Sequence, residues 1–212
     1  MSGDPPSPGD SPLTTSQHSQ RDGHEKINHM GTAAHQNPNR RRTPVWRRPA
    51  TLGVDVGGVL VERSSPEADT SFFGQRPMDT PAVAGALDAV RSLVTRFEYR
   101  VHIVSRASTR TAGITRAWLA THGMLGGTGI PDSNVHFVAR RPNKHDVCAR
   151  MGITHFIDDR LEVLQHLDTV EHRYLFTGAL GEHDQPPHVP SWATLVDSWD
   201  ELLRKIETDL DT

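Results

Sequence analysis

Apolar runs and helical stripes alternate along residues 50–212. The first run, residues 51–56 (TLGVDV), has no polar alternation and contains β-branched residues. It is bounded by Pro49 and by Gly57-Gly58, a pattern that predicts a strand buried on both faces. Residues 99–105 (YRVHIVS), 135–138 (VHFV), 154–157 (THFI), 173–176 (RYLF) and 193–196 (ATLV) predict further strands. Between them the apolar positions recur at helical spacing. Val83, Leu87, Val90, Leu93 and Val94 mark a helix opened by Pro81 with Thr80 as its cap. Ile114, Ala117 and Trp118 mark a second over 108–122, and Val147 and Met151 a third that Asn143 caps. Residues 161–167 and 199–206 complete the set. Regular alternation of strand and helix predicts an α/β fold: a doubly wound parallel sheet with helices on both faces.

Charge interrupts this pattern at telling places. A strand buried on both faces tolerates a carboxylate only at its carboxyl end, and that end is where open α/β sheets bind ligands. Asp55, Ser105 and Asp158-Asp159 each close a predicted strand, and Lys144 opens a helix after another. Two or three carboxylates, a hydroxyl and a lysine on one rim can hold Mg²⁺ and a phosphoryl group. Mg²⁺ takes oxygen ligands, a lysine and a hydroxyl orient phosphate oxygens, and a carboxylate facing phosphorus can act as nucleophile. Arg140, Arg141 and Arg150 compete with Lys144 for the cationic role, and Arg106 adds a second candidate contact to substrate. The glycine-rich loop at 123–134 lacks a following Gly-Lys-Ser/Thr and is not a phosphate loop. His102, His136 and His155 fall on predicted strands without metal-ligand spacing and read as core or rim residues.

Composition sets the limits of the domain. Residues 1–49 are rich in Pro, Ser, Gly, Gln, Asn and His, which predicts a disordered leader ahead of one domain over 50–212. The net charge of −3 divides into +3 over the leader and −6 over the remainder. Arg40-Arg41-Arg42 and Arg47-Arg48 could contact an acidic partner, but five arginines on an acidic protein do not make a nucleic-acid-binding domain. The single cysteine, Cys148, excludes an intramolecular disulfide and reads as a small core residue. No run approaches the roughly 18 apolar residues of a membrane span, and no apolar signal segment opens the chain, so a cytoplasmic location is expected.

Together the ordered motifs Asp-Val-Gly-Gly-Val (55–59), Val-His-Ile-Val-Ser (101–105), Lys144 and Phe-Ile-Asp-Asp-Arg (156–160) resemble the four motifs of haloacid dehalogenase-like hydrolases. The resemblance implies Asp55 as nucleophile and metal ligand, and Ser105 and Lys144 as phosphate contacts. It implies Asp158 and Asp159 as ligands of Mg²⁺, together with the backbone carbonyl of Gly57, and the Gly57-Gly58 turn beside the phosphate. Phosphatases of that superfamily carry a second aspartate two residues after the nucleophile, as general acid and base. Here that position is Gly57, and a missing acid–base group costs about 10²–10⁴ in rate. Glu62, Asp69 or Asp79 could supply the proton, or the substrate could have a leaving group that needs none. Alternatively, the domain binds phosphate and Mg²⁺ without turnover. A response-regulator receiver fits less well, because its acidic pair follows the first strand.

The resemblance also implies a minimal cap, since about eighteen irregular residues separate the first motif from the next helix. Such a flap suits a large phosphorylated substrate, or a small one if a second subunit closes the site. Phe72 and Phe73 on that segment are expected to pack against the first helix.

Overall fold

The computed structural model describes residues 48–62, 73, 76–126, 129–180 and 188–212. The leader expected over 1–49, apart from its last two residues, lies outside the described residues. So do Asp69, Phe72 and most of the segment expected to form the cap.

Six strands form one parallel sheet: β1 (Leu52–Val54), β2 (Val101–Arg106), β3 (Val135–Val138), β4 (His155–Asp158), β5 (His172–Phe176) and β6 (Thr194–Val196). Their spatial order is β3-β2-β1-β4-β5-β6, and every neighbouring pair is parallel. Helices α1 (Ala86–Arg96) and α2 (Thr109–Thr121) carry the chain outward from β1 to β3. Then α3 (Lys144–Met151) returns it across the sheet to β4, on the other side of β1. Helix α4 (Leu161–Leu164) leads to β5, and α5 (Trp199–Leu210) follows β6. The winding therefore reverses between β1 and β4, the point at which sheets of this order bind ligands beyond the strand ends.

Both faces are covered because successive strand residues point to opposite sides. Ile103, Ile157 and Tyr174 join the core beneath α1, α2 and α5, with Leu93, Trp118 and Ile206. Their neighbours Val104, Phe156 and Leu175 join a second, smaller core with Val147, Cys148 and Leu164 of α3 and α4. Burial pushes the Cys148 thiol up to about 12, so it sits as an inert apolar filler.

Local signals set most helix ends. The Ser108 hydroxyl accepts from the Thr111 amide at 3.2 Å at the start of α2, and Ser198 does the same for Glu201 at 3.4 Å in α5. Two expectations need correction. Pro81 does not open α1, which begins at Ala86 behind Gly85 at φ +79°. Residues 81–83 instead pair back to the turn after β1: Glu62 N–H donates to Pro81 O at 3.1 Å and Val83 N–H to Leu60 O at 2.9 Å. That tertiary pairing outweighs the local cap signal. Likewise Asn143 ends a single 3-10 turn (Arg141–Asn143) and gives α3 no side-chain cap. Phe73, expected on the first helix, packs on Trp118 of α2, 6.4 Å between ring centres.

Candidate active site

The end of β1 is held from both sides. Asp55 N–H donates to Ile157 O of β4 at 3.0 Å, which places its carboxylate at the seam between the two central strands. The next six residues close a tight turn. The amides of Leu60 and Val61 both donate to Val56 O at 2.9 Å, and Gly58 N–H donates to Val61 O at 2.8 Å. Gly58 has φ +76°, a conformation that favours glycine. From α5 the Trp199 indole donates to Val59 O at 3.1 Å and braces the turn.

Lys144 opens α3 and is only 2% exposed, far below the norm for a lysine. Its ammonium donates to Asp158 Oδ2 at 2.7 Å and lies 2.9 Å from Asp55 Oδ1. It also sits 5.6 Å over the ring of Phe156. That ring occupies the space left by Gly53, where a Cβ would come within 2.4 Å of Phe156 Cδ2. Asp158 is fully buried, and its Oδ1 accepts from the Arg160 amide at 3.0 Å. Asp159 is 5% exposed. One oxygen from each of Asp55, Asp158 and Asp159 can be chosen so that all three lie within 4.8 Å of one another.

Two buried carboxylates, Asp55 and Asp158, thus flank one ammonium, and the carboxylate of Asp159 lies beside them. Burial, with the charges of Asp55 and Asp159, raises the Asp158 pKa against the opposing pull of Lys144. Burial alone would lower the Lys144 pKa, but the Asp158 and Asp55 carboxylates hold it above its ordinary value. Asp55 Oδ1 is within ion-pair distance of the ammonium yet receives no aligned hydrogen bond. Excess negative charge on clustered oxygen donors fits a hard divalent cation.

The other candidates fall around this centre. Ser105, the last residue but one of β2, lies on the same rim and is 2% exposed. Gly57 and Gly58 are buried in the turn. Arg106 is half-buried and lines a cleft of about 360 Å³ with Arg140, Arg141, Glu162, Gln165 and His166. Lys144, rather than Arg140 or Arg150, reaches the carboxylates, since both arginines are exposed. Of the candidate acids, Asp79 is exposed and pairs with Arg76 at 3.1 Å. Glu62 lines a second cleft of about 390 Å³ with Asp197 and Ser198. The pairing of Arg140 and Arg141 with Arg106 across one cleft was not anticipated. Its only signal is the Arg-Arg pair two residues past the end of β3.

The histidines sit elsewhere. His155 and His172 open β4 and β5 at the opposite rim and stack at 4.4 Å. His102 and His136 meet across β2 and β3, Nδ1 to Nε2 3.1 Å.

No family model and no curated protein matches the chain. A solved structure described as a haloacid dehalogenase-like hydrolase, from Burkholderia xenovorans LB400, is similar at a TM-score of 0.52 and 14% identity. The match covers 76% of this chain and 99% of that one. The fold is haloacid dehalogenase-like. In that fold the carboxylate cluster lies where the winding reverses. Among the described residues no helix is long and apolar enough to cross a membrane.

Proposed function

We propose that the chain is a Mg²⁺-dependent phosphoryl hydrolase or phosphotransferase in which Asp55 is the nucleophile. The observation that carries this reading is the cluster of Asp55, Asp158 and Asp159 at the strand ends, the first two paired with one buried lysine. Those three carboxylates, with the Gly57 carbonyl, would hold Mg²⁺. When bound, the cation supplies positive charge that draws in the phosphate and offsets the charge building on its oxygens.

Lys144 pairs with Asp55 and, with Ser105, contacts phosphate oxygens. The Gly57-Gly58 turn lets the backbone approach the phosphate closely, and Arg106 adds charge beside it. An Asp55 oxygen forms the new bond to phosphorus while the ester P–O bond breaks, and the leaving oxygen departs with that electron pair. Water then attacks the aspartyl-phosphate, releases phosphate and restores the carboxylate.

Gly57 leaves the departing oxygen without the acid that related phosphatases place there. The favoured substrates therefore have leaving groups that depart as stable anions. The same residue favours a second reading, a domain that binds phosphate and Mg²⁺ in a regulatory role without turnover.

Hydrolysis of an aryl phosphate by the full chain, with Mg²⁺ or with EDTA, separates the two. Metal-dependent turnover lost in Asp55→Asn is the expected result. Absence of turnover in a folded protein that still binds phosphate with Mg²⁺ would select the second reading.

A further inference from the structure

The cleft beside the carboxylates carries chemistry that a single phosphoryl group does not use. Its walls come from three segments of the same rim. Arg106 follows Ser105 at the end of β2, Arg140 and Arg141 precede Lys144, and Glu162, Gln165 and His166 follow the Asp158-Asp159 pair. Strand pairing holds two of these walls together: Arg106 is in register with Val138, and Ala107 N–H donates to Val138 O at 3.1 Å. By strand alternation Arg106 shares a face with Val104, and Asp158 shares a face with Phe156. Both apolar residues belong to the core under α3 and α4, so cleft and carboxylates lie on one side of the sheet.

The charge of this cleft is positive. Among the described residues the guanidinium groups of Arg106 and Arg140 form no ion pair. The one acid in the lining, Glu162, is engaged by Arg160 at 3.3 Å. Guanidinium groups offer forked donors that match phosphate oxygens two at a time. We propose that this cleft binds a second phosphate of the substrate, which is then a small bisphosphate. The assignment rests on the phosphoryl-transfer reading of the neighbouring carboxylates.

Two observations favour a small ligand over a nucleic acid. The cleft is small, at about 360 Å³. Residues 50–212 carry a net charge of −6, which disfavours a long polyanion.

The test is calorimetric binding to full-length Asp55→Asn in Mg²⁺, which reads affinity without turnover. The probes are fructose 6-phosphate, fructose 1,6-bisphosphate and a 5′-phosphorylated hexanucleotide. The bisphosphate should bind at least about tenfold more tightly than the monophosphate. Arg140→Gln, alone and with Arg106→Gln, should bring that ratio down towards one, with folding checked by circular dichroism. Equal affinity for the two sugars, or a preference that survives the double substitution, overturns the proposal. Tighter binding of the hexanucleotide than of the bisphosphate overturns it in favour of a nucleic acid. Aryl phosphate turnover without an arginine-dependent preference refutes the cleft assignment alone. An arginine-dependent preference without turnover retains the anion site and removes the catalytic reading.

Discussion

Lys144→Met keeps an unbranched side chain of similar reach and removes only the ammonium. In the native protein that ammonium is enclosed, 2.7 Å from Asp158 and 2.9 Å from Asp55, and both partners are buried. Without it three buried carboxylates face one another. Removing one member of a buried ion pair costs about 3–5 kcal/mol, because the remaining charge is left uncompensated. A domain of this size loses roughly 2–4 °C per kcal/mol, so thermal unfolding followed by circular dichroism in EDTA should drop by about 6–20 °C. A second substitution separates charge from packing. Adding Asp158→Asn removes one of the repelling charges, so the double variant should be more stable than Lys144→Met alone, with a coupling of about 1–3 kcal/mol. A Lys144→Met protein as stable as the native one in EDTA would refute the charge-balance argument. So would a double variant no better than the single.

Magnesium should raise the melting temperature of the native protein, by about 2.7 kcal/mol of added stability at a hundred times its dissociation constant. Asp158→Asn with Asp159→Asn should abolish that increment in the same scan. Gly53→Ala drives a methyl into the Phe156 ring and should cost about 1–3 kcal/mol by urea denaturation; a neutral result would show that the ring can move aside. His155 is 4% exposed, and burial, then His172, lower its pKa from 6.5 to about 4. The unfolded chain takes up that proton first, so the stability it protects is intact above pH 6.5 and lost as pH falls towards 4, by up to about 3 kcal/mol. Urea midpoints at pH 4.5 and 7 should therefore differ less in His155→Phe than in the native protein. Trp199→Phe leaves the buried Val59 carbonyl without its donor and should cost about 1–3 kcal/mol, measured by the same denaturation.

Much of this organisation is legible in one dimension. Strand β1, within the run 51–56, shows itself because no polar residue interrupts it before Asp55, and burial on both faces enforces that pattern. Asp55, Asp158 and Asp159 are readable as a group for the same reason: a carboxylate directly after an apolar strand can only be at a strand end. Lys144 is less so. Its sequence neighbours Arg140, Arg141 and Arg150 carry the same charge, and only the path of α3 over the sheet decides which of them is enclosed. The start of α1 misleads, because Thr80-Pro81 is a good local cap signal while residues 81–83 are claimed by a partner twenty residues earlier. The arginine cleft is invisible for a similar reason, since its walls are brought together by β2–β3 pairing and by the α4 segment after β4.

The return crossing through α3 has a consequence for the order in which the molecule can be made. Leu52 of β1 is in register with Val101 on one side and with His155 on the other. During synthesis β1 therefore waits about a hundred residues for its second neighbour. An emerging chain can close β1, β2 and β3 into a half-sheet with α1 and α2, but one edge of β1 stays bare and Asp55 stays without Lys144 and Asp158. Contacts of such long separation form slowly, since the loop must close before they contribute. The carboxylate cluster is thus a late event of folding, completed only when the last of its strands arrives.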